Sequence, residues 1–140
     1  LDNALVATAK SSLKTSARNQ LFGKVSGLKQ KGALVWVDVN IEGMNEPICA
    51  VITEKSSKRL ELTLGREVML LIKAPWIKLN AQPTGLNDFM GKIVTVEQNE
   101  VIIEMQQTTF CATTESDFSA QVGEQISLHI EPEQIILATI

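Results

Sequence analysis

Several residue types on which common functions depend are scarce in this 140-residue sequence. It contains no tyrosine, and its aromatic residues amount to 4%. Proteins that bind single-stranded nucleic acid stack bases on aromatic side chains along a basic groove, so this scarcity argues against that class. The sequence has one histidine, His129, which excludes a multi-histidine metal site; we predict a structural role for it. No phosphate-binding loop, nucleophile motif or metal-ligand cluster occurs, and we therefore expect the protein not to be an enzyme.

Cysteine and long apolar runs are also scarce. The two cysteines, Cys49 and Cys111, are too few for a disulfide framework and too widely spaced for a zinc motif. We expect both to lie in the core, where free cysteine is common. No apolar run approaches the roughly 18 residues that a membrane helix needs, and there is no signal-peptide pattern. We therefore expect a cytoplasmic protein that has no membrane segment, no cofactor and no bound metal ion.

Positive charge is nearly missing from the second part of the chain. Residues 79–140 contain nine of the 16 Asp and Glu residues but a single cation, Lys92, which gives a balance of −8. Residues 1–78 contain the other twelve Lys and Arg residues and seven acids, which gives a balance of +5. An anion is attracted to the first part and repelled by the second, so we expect any anion site in the first part.

The sequence does contain an internal repeat. Residues 18–25 resemble residues 86–93, because Asn, an apolar pair and Gly-Lys fall at the same spacing in both. Later landmarks recur in the same order: Cys49-Ala50 and Cys111-Ala112, Thr53-Glu54 and Thr114-Glu115, Gly65 and Gly123, Pro75 and Pro132. The repeat predicts an N-terminal tether (residues 1–14), a first unit (residues 15–79), a Pro- and Gly-containing linker (residues 80–85) and a second unit (residues 86–140).

The pattern within each unit is that of short strands. β-branched and alternating stretches occur at residues 32–41, 49–52, 68–72, 101–105 and 126–130. Several short strands in about 60 residues favour an all-β fold with two tandem OB-like β-barrels, since a closed barrel has no exposed sheet edge. Residues 53–56 and 114–117 each begin with a residue suited to cap a helix, which predicts a short helical turn in each barrel. The alanine-rich opening, residues 1–13, is interpreted as the end of a helix.

Three groups of hydrogen-bond donors in the first unit are suited to an anion. They are Thr15–Arg18 with its hydroxyls and guanidinium, Thr53–Ser56 at the start of a helical turn, and Lys73 at the end of an apolar strand. Each group also has a structural interpretation, as turn residues, a helix cap or solvated surface charges. Comparison with the second unit favours the anion-binding interpretation, because Leu86 stands at the position of Arg18 and Glu131 at that of Lys73. The barrel therefore does not need cations at these positions.

These motifs carry a resemblance to a known family. Ser-Ala-Arg-Asn-Gln at residues 16–20, Phe22-Gly23, and Lys-Ala-Pro-Trp at residues 73–76 resemble the ligand-binding region of the ModE-type molybdate-responsive transcription regulators. The repeated unit is similar to the Mop, or TOBE, domain. The resemblance extends from about Leu13 to Ile140. It implies a homodimer that binds molybdate or tungstate at its interface and does no chemistry on the anion.

The resemblance also implies which residues hold the anion. Ser16, the backbone of Ala17, Arg18 and Lys73 are expected from one subunit, and Thr53 and Ser56 from the other. Regulators of this family carry a winged-helix DNA-binding domain ahead of this region, so DNA contact is expected only through such an upstream domain. Two other hypotheses stay open: a free-standing molybdate storage or homeostasis protein of the molbindin type, and a single-strand nucleic-acid binder, which the acidic second part disfavours.

Overall fold

A computed structural model of the chain describes the backbone of residues 4–6 and the whole of residues 17–139. The strands are β1 (Ala4–Val6), β2 (Asn19–Lys31), β3 (Leu34–Ile41), β4 (Ile48–Thr53), β5 (Glu67–Ile72), β6 (Ile77–Leu79), β7 (Asp88–Glu97), β8 (Glu100–Met105), β9 (Thr108–Thr113), β10 (Gln125–Ile130) and β11 (Ile136–Thr139). One α-helix, α1 (Glu54–Arg59), and two 3₁₀ turns, Ala74–Trp76 and Pro132–Gln134, complete the described elements. The five strands predicted from alternation are confirmed, as is the all-β fold class.

The close approach of paired strands explains a glycine that recurs in the repeat. A Cβ atom added to Gly23 on β2 would lie 2.2 Å from the carbonyl oxygen of Asn40 on β3. At the corresponding position of β7, a Cβ on Gly91 would lie 2.4 Å from Cγ2 of Ile103. Both distances are shorter than non-bonded atoms can approach. Both strands therefore need a residue without a side chain at this position.

The strands form two curled sheets that exchange their last strands. The first sheet has the order β1-β11-β5-β2-β3-β4, and the second has the order β6-β10-β7-β8-β9. Strand β6 closes the first unit in sequence but pairs with β10 of the second. Strand β11 closes the second unit but pairs with β5 of the first. Each unit therefore completes the sheet of the other, and one apolar core runs through both.

Two equivalent asparagines join the units where the strands cross. Asn19 donates through Nδ2 to the carbonyl oxygen of Cys111 at 2.9 Å, and its Oδ1 accepts from the Cys111 N–H at 2.7 Å. Asn87 makes the same two bonds with the backbone of Cys49, at 2.7 and 2.8 Å. Nδ2 of Asn19 also donates to the carbonyl oxygen of Ile72, and Nδ2 of Asn87 to that of Ile130, both at 3.0 Å. These contacts confirm that the two cysteines occupy equivalent buried positions.

Two sequence expectations differ from the structure. Residues 4–6 were expected at the end of a helix but form β1, which runs parallel to β11 and covers the edge of the first sheet. An open edge offers unpaired N–H and C=O groups, and these outweigh a weak helical preference in three residues; the rest of the expected helix lies outside the described residues. In the second unit, residues 114–117 form only one turn, closed by the N–H of Phe118 donating to the carbonyl oxygen of Glu115.

No helix in the described part of the chain is long and apolar enough to cross a membrane.

Candidate anion-binding site

The two cations that the sequence singled out lie at the same end of neighbouring strands. Strands β2 and β5 are antiparallel, and their register pairs Asn19 with Ile72. Continued by one residue, that register sets Arg18 opposite Lys73. The chain then turns away at Lys73, which precedes the 3₁₀ turn that Pro75 helps to start. The fold thus brings together two residues that lie 55 positions apart in the sequence.

Arg18 contacts the second unit. Its Nη1 donates to Oε1 of Glu100 at 2.6 Å, and the two side chains are 54% and 30% exposed. The hydrogen bond to Glu100 and the negative charge around it raise the pKa of Arg18. Arg18 is therefore a permanent cation whose guanidinium already has one carboxylate partner.

Lys73 lies against an aromatic ring. Its Nζ is 5.2 Å from the ring centre of Trp76, a cation–π distance, and the residue is half-buried. The ring packs against the ammonium of Lys73, and the face of the indole takes no hydrogen bond from it. An ammonium in this position keeps its donors available to a ligand.

Thr53 and Ser56 form the start of α1. Oγ1 of Thr53 accepts from the N–H of Ser56 at 3.1 Å and donates to Oγ of Ser56 at 2.9 Å, and Ser56 is buried. Thr53 is thus a helix cap, as its structural interpretation required. Helix α1 lies between the end of β4 and the start of β5, whereas Lys73 follows the end of β5. Thr53 pairs with Leu34, which pairs with Lys31 at the end of β2. Lys73 follows Ile72, which pairs with Asn19 at the start of β2. A single chain therefore holds the two groups at opposite ends of β2.

The last predicted group is described only in part. Ser16 lies outside the described residues. Ala17 is buried and packs with Met69, Leu71 and Ala138 on the outer face of the first sheet. Its position fixes the backbone immediately before Arg18.

The comparisons with known proteins agree on the family. A family model described as the TOBE domain matches residues 15–79. The transcriptional regulator ModE of Haemophilus influenzae is 42% identical over the whole of this chain, which covers 56% of that regulator. ModE of Escherichia coli is 31% identical over the whole chain, which covers 58% of it. A solved structure of the cytoplasmic molybdate-binding protein ModG with molybdate bound is 30% identical with a TM-score of 0.80, and the match covers 91% of this chain and 100% of ModG. This chain belongs to the TOBE-domain family of ModE and ModG.

The resemblance to ModE is thus confirmed, and so are the OB-like barrels that it implied. The chain spans a little over half of the ModE relatives that it matches. The relatives reported are named as transcriptional regulators, as a molybdenum transport protein and as a molybdate-binding protein.

The second unit carries a different polar cluster at the equivalent place. Nδ1 of the buried His129 lies 2.9 Å from Oδ1 of Asp88, and its Nε2 lies 3.0 Å from Oε1 of Glu131. Lys78 also donates to Glu131 at 3.4 Å. Glu131 is the counterpart of Lys73, and its carboxylate has Lys78 and His129 of its own chain as hydrogen-bond partners. These contacts are consistent with the structural role predicted for His129, and no metal-ligating group was found in the described parts of the chain.

Sequence reasoning did not identify Glu100, the ion-pair partner of Arg18. It lies 82 residues from Arg18 and has no motif around it. The only signal was the acid excess of the second part of the chain, which does not single out one carboxylate. Only the packing of the two units reveals the pair.

Proposed function

We propose that this chain is the molybdate-binding region of a molybdenum-responsive transcription regulator. The observation that carries the proposal is the register that pairs Asn19 with Ile72, because the next residues, Arg18 and Lys73, then follow at the same end of β2 and β5. Two cations at adjacent strand ends suit a doubly charged anion, and the second unit has Leu86 and Glu131 there instead. The ligand known for ModG, molybdate, has this charge.

A homodimer completes the site in this proposal. In one chain, Thr53 and Lys73 lie at opposite ends of β2, by the registers of the strands between them. A second copy that presents its α1 end to Arg18 and Lys73 would bring both groups to one anion, and a twofold axis would create two such sites. Ser16 and the N–H of Ala17 would add donors from the same chain as Arg18. This arrangement is what the family resemblance implies for the six residues.

Charge-assisted hydrogen bonds supply the affinity. Each bond from Arg18, Lys73 or a hydroxyl to the anion contributes about 1.5–3 kcal/mol, because the acceptor is charged. Selection against sulfate rests on size, since donors fixed around a larger tetrahedron do not all reach a smaller one. Tungstate, which has the geometry and charge of molybdate, is expected to bind the same site.

The proposed protein senses the anion without transforming it. Binding across two subunits favours one dimer geometry, because a ligand shifts populations by its differential affinity for two states. In a regulator, a DNA-binding domain upstream of this region would read that geometry. The proposal therefore includes a cytoplasmic location, no catalytic activity, no cofactor, and DNA contact only through the upstream domain.

One observation favours a second candidate, a free-standing molybdate-binding protein of the molbindin type. The match to ModG covers all of that protein, which is described as a cytoplasmic molybdate-binding protein. The identity is higher with ModE of Haemophilus influenzae, at 42% against 30%, and we therefore place the regulator first. The intact gene product decides between the two, since storage needs no DNA-binding region.

Calorimetric titration with sodium molybdate tests the site. Lys73→Ala and Arg18→Ala are expected to weaken binding by roughly ten- to a hundredfold, the loss that one charge-assisted bond implies. Lys24→Ala serves as the control, because it removes the same charge from an exposed position of the same barrel. Parent-like affinity in Lys73→Ala would show that the site lies elsewhere.

Two further readouts use the same samples. Trp76 lies beside Lys73, so its fluorescence should change on titration in a Trp36→Phe background, which removes the other tryptophan. Native mass spectrometry with and without molybdate reports the number of subunits and of bound anions. A monomer that binds the anion would contradict the shared site.

A further inference from the structure

We infer that Glu100 of the second unit is an internal competitor for the Arg18 guanidinium and thereby lowers the affinity of the anion site in the first unit. The inference rests on the proposed function and adds a role for the unit that lacks the cations. Glu100 thus sets the ligand affinity although it is not itself a donor to the anion.

The contact between Arg18 and Glu100 is built into the junction of the units. Oε1 of Glu100 accepts from Arg18 at 2.6 Å, and its Oε2 lies 3.6 Å from Sγ of Cys111, which donates to it. The backbone of Cys111 is in turn bound by Asn19, the neighbour of Arg18. Strand β8 supplies Glu100, and β9 supplies Cys111. The buried Asn19 therefore fixes the backbone of Arg18 next to the carboxylate of Glu100.

The electrostatics of the pair oppose an incoming anion. A carboxylate at hydrogen-bond distance compensates the charge of the guanidinium, so the anion meets a neutral pair and not a cation. Glu100 also repels a dianion placed beside Arg18, because both are negative. The charge of Glu97, on the neighbouring strand β7, adds to the negative field around Arg18.

The pair is weak enough to open. Arg18 is 54% exposed and Glu100 30% exposed, and exposed ion pairs contribute little because water and salt screen them. A dianion that also contacts Lys73 offers Arg18 more than a single carboxylate does. The anion therefore displaces Glu100, and the free energy needed to break the Arg18–Glu100 pair lowers the net binding affinity. A higher anion concentration is then needed to fill the site.

The second unit offers a comparison within the same fold. Leu86 is at the position of Arg18, and near it the carboxylate of Asp38 from the first unit contacts the Cys49 thiol, as Glu100 contacts that of Cys111. A carboxylate thus lies beside the cysteine at both junctions, but only the junction with Arg18 has a cation for it to neutralise.

Glu100→Gln tests the inference by sodium molybdate titration of the full chain. Glutamine keeps the size of the side chain and an oxygen that can accept from Arg18, but removes the charge. We expect binding to tighten by roughly two- to fivefold, the range that exposed ion pairs span. The matched control is Glu104→Gln, which removes an equal charge from the same face of β8, four residues further on; its affinity should equal that of the parent.

An Arg18→Ala background shows whether Glu100 acts through Arg18. If it does, Glu100→Gln has no effect in that background, as a double-mutant cycle requires for coupled residues. Glu100→Ala is the second variant in case the amide alters packing, and a thermal melt of each variant checks the fold. Tighter binding in Glu100→Gln that vanishes without Arg18 supports the inference.

The other outcomes overturn it. Equal affinity in the parent and Glu100→Gln leaves the proposed function intact but removes the competition. Weaker binding in Glu100→Gln makes Glu100 a residue that positions Arg18 for the anion. The same tightening in Glu104→Gln, or in the Arg18→Ala background, reduces the effect to net charge. A folded parent that binds no molybdate refutes the proposed function, and the inference with it.

Discussion

Asn19 and Asn87 each make three side-chain hydrogen bonds, all with buried backbone groups. Each amide reaches across to the other unit and bonds both polar groups of one cysteine residue. Both asparagines are buried, with 4% and 6% of their surface exposed. A lost bond here leaves an unsatisfied N–H or C=O in the core, which is more unfavourable than a lost bond at the surface.

Asn87→Ala is therefore expected to lower the free energy of unfolding by about 2–4 kcal/mol, since three bonds are lost together. Asn87→Asp is expected to be at least as destabilising, although it keeps the volume, because a carboxylate cannot donate to the carbonyl oxygens of Cys49 and Ile130. Urea unfolding followed by circular dichroism measures both. Asn40→Ala, at an exposed position of β3, is the control. If Asn87→Asp matched the parent, the donor bonds would be unimportant.

At the residue scale, the sequence predicted which side chains recur and which are unique, but not their partners. Asn19 and Asn87 were recognised as a repeated landmark, and Arg18 and Lys73 as unmatched cations. The partners of Asn19 and the contact of Arg18 with Glu100 involve residues between 53 and 92 positions away. Spacing within a motif carries no information about such contacts.

At the scale of elements, β6 is held to β10 and β7 by the polar cluster around His129. The register sets His129 between Lys78 on β6 and Asp88 on β7. Burial by itself would raise the pKa of Asp88, but the N–H groups of Gly85 and Thr84, together with His129, lower it. The contact with His129 lowers the pKa of Glu131, with a further contribution from Lys78.

These shifts predict that the cluster loses its stabilising effect in acid. A carboxyl group whose pKa is lowered by folding stabilises the fold above its unfolded pKa, near 4, and that contribution disappears as the pH falls through the folded pKa. Asp88→Asn should therefore melt below the parent at pH 7, and the gap should narrow towards pH 3. Melting curves across this range test it, with Asp117→Asn, in an exposed turn, as the control. A gap that stayed constant with pH would show that the ionised carboxylate is not the cause.

The elements were predictable to different degrees for a physical reason. Alternation of apolar and polar residues follows from the two faces of a strand, so β3, β8 and β10 could be located from the sequence alone. Strands β6 and β11 have three and four residues and pair outside their own unit. Their partners are set by the tertiary packing of the two units, which a local pattern does not encode.

At the scale of the whole molecule, the exchange of β6 and β11 makes the two units interdependent. Ile135 and Leu137 belong to the second unit but are fully buried in the common core, and β11 covers β5 of the first sheet. The charge division between the units, +5 in residues 1–78 and −8 in residues 79–140, acts across the same junction. The Arg18–Glu100 ion pair connects the positive first part of the chain to the negative second part.

A fragment of residues 1–79 is consequently expected not to fold as a monomer. It lacks β11, so β5 has an open edge, and its own β6 has no β10 to pair with. Each large apolar side chain missing from the core removes about 2–5 kcal/mol, and losing both Ile135 and Leu137 approaches the 5–15 kcal/mol that stabilises a whole domain. Size-exclusion chromatography with light scattering and circular dichroism should find an unfolded chain or a dimer in which two copies exchange β6. Mixing the fragment with residues 80–140 should restore a folded 1:1 complex with cooperative melting. A folded monomer of residues 1–79 that melts like the parent would show that the exchanged strands are dispensable and that each unit stands alone.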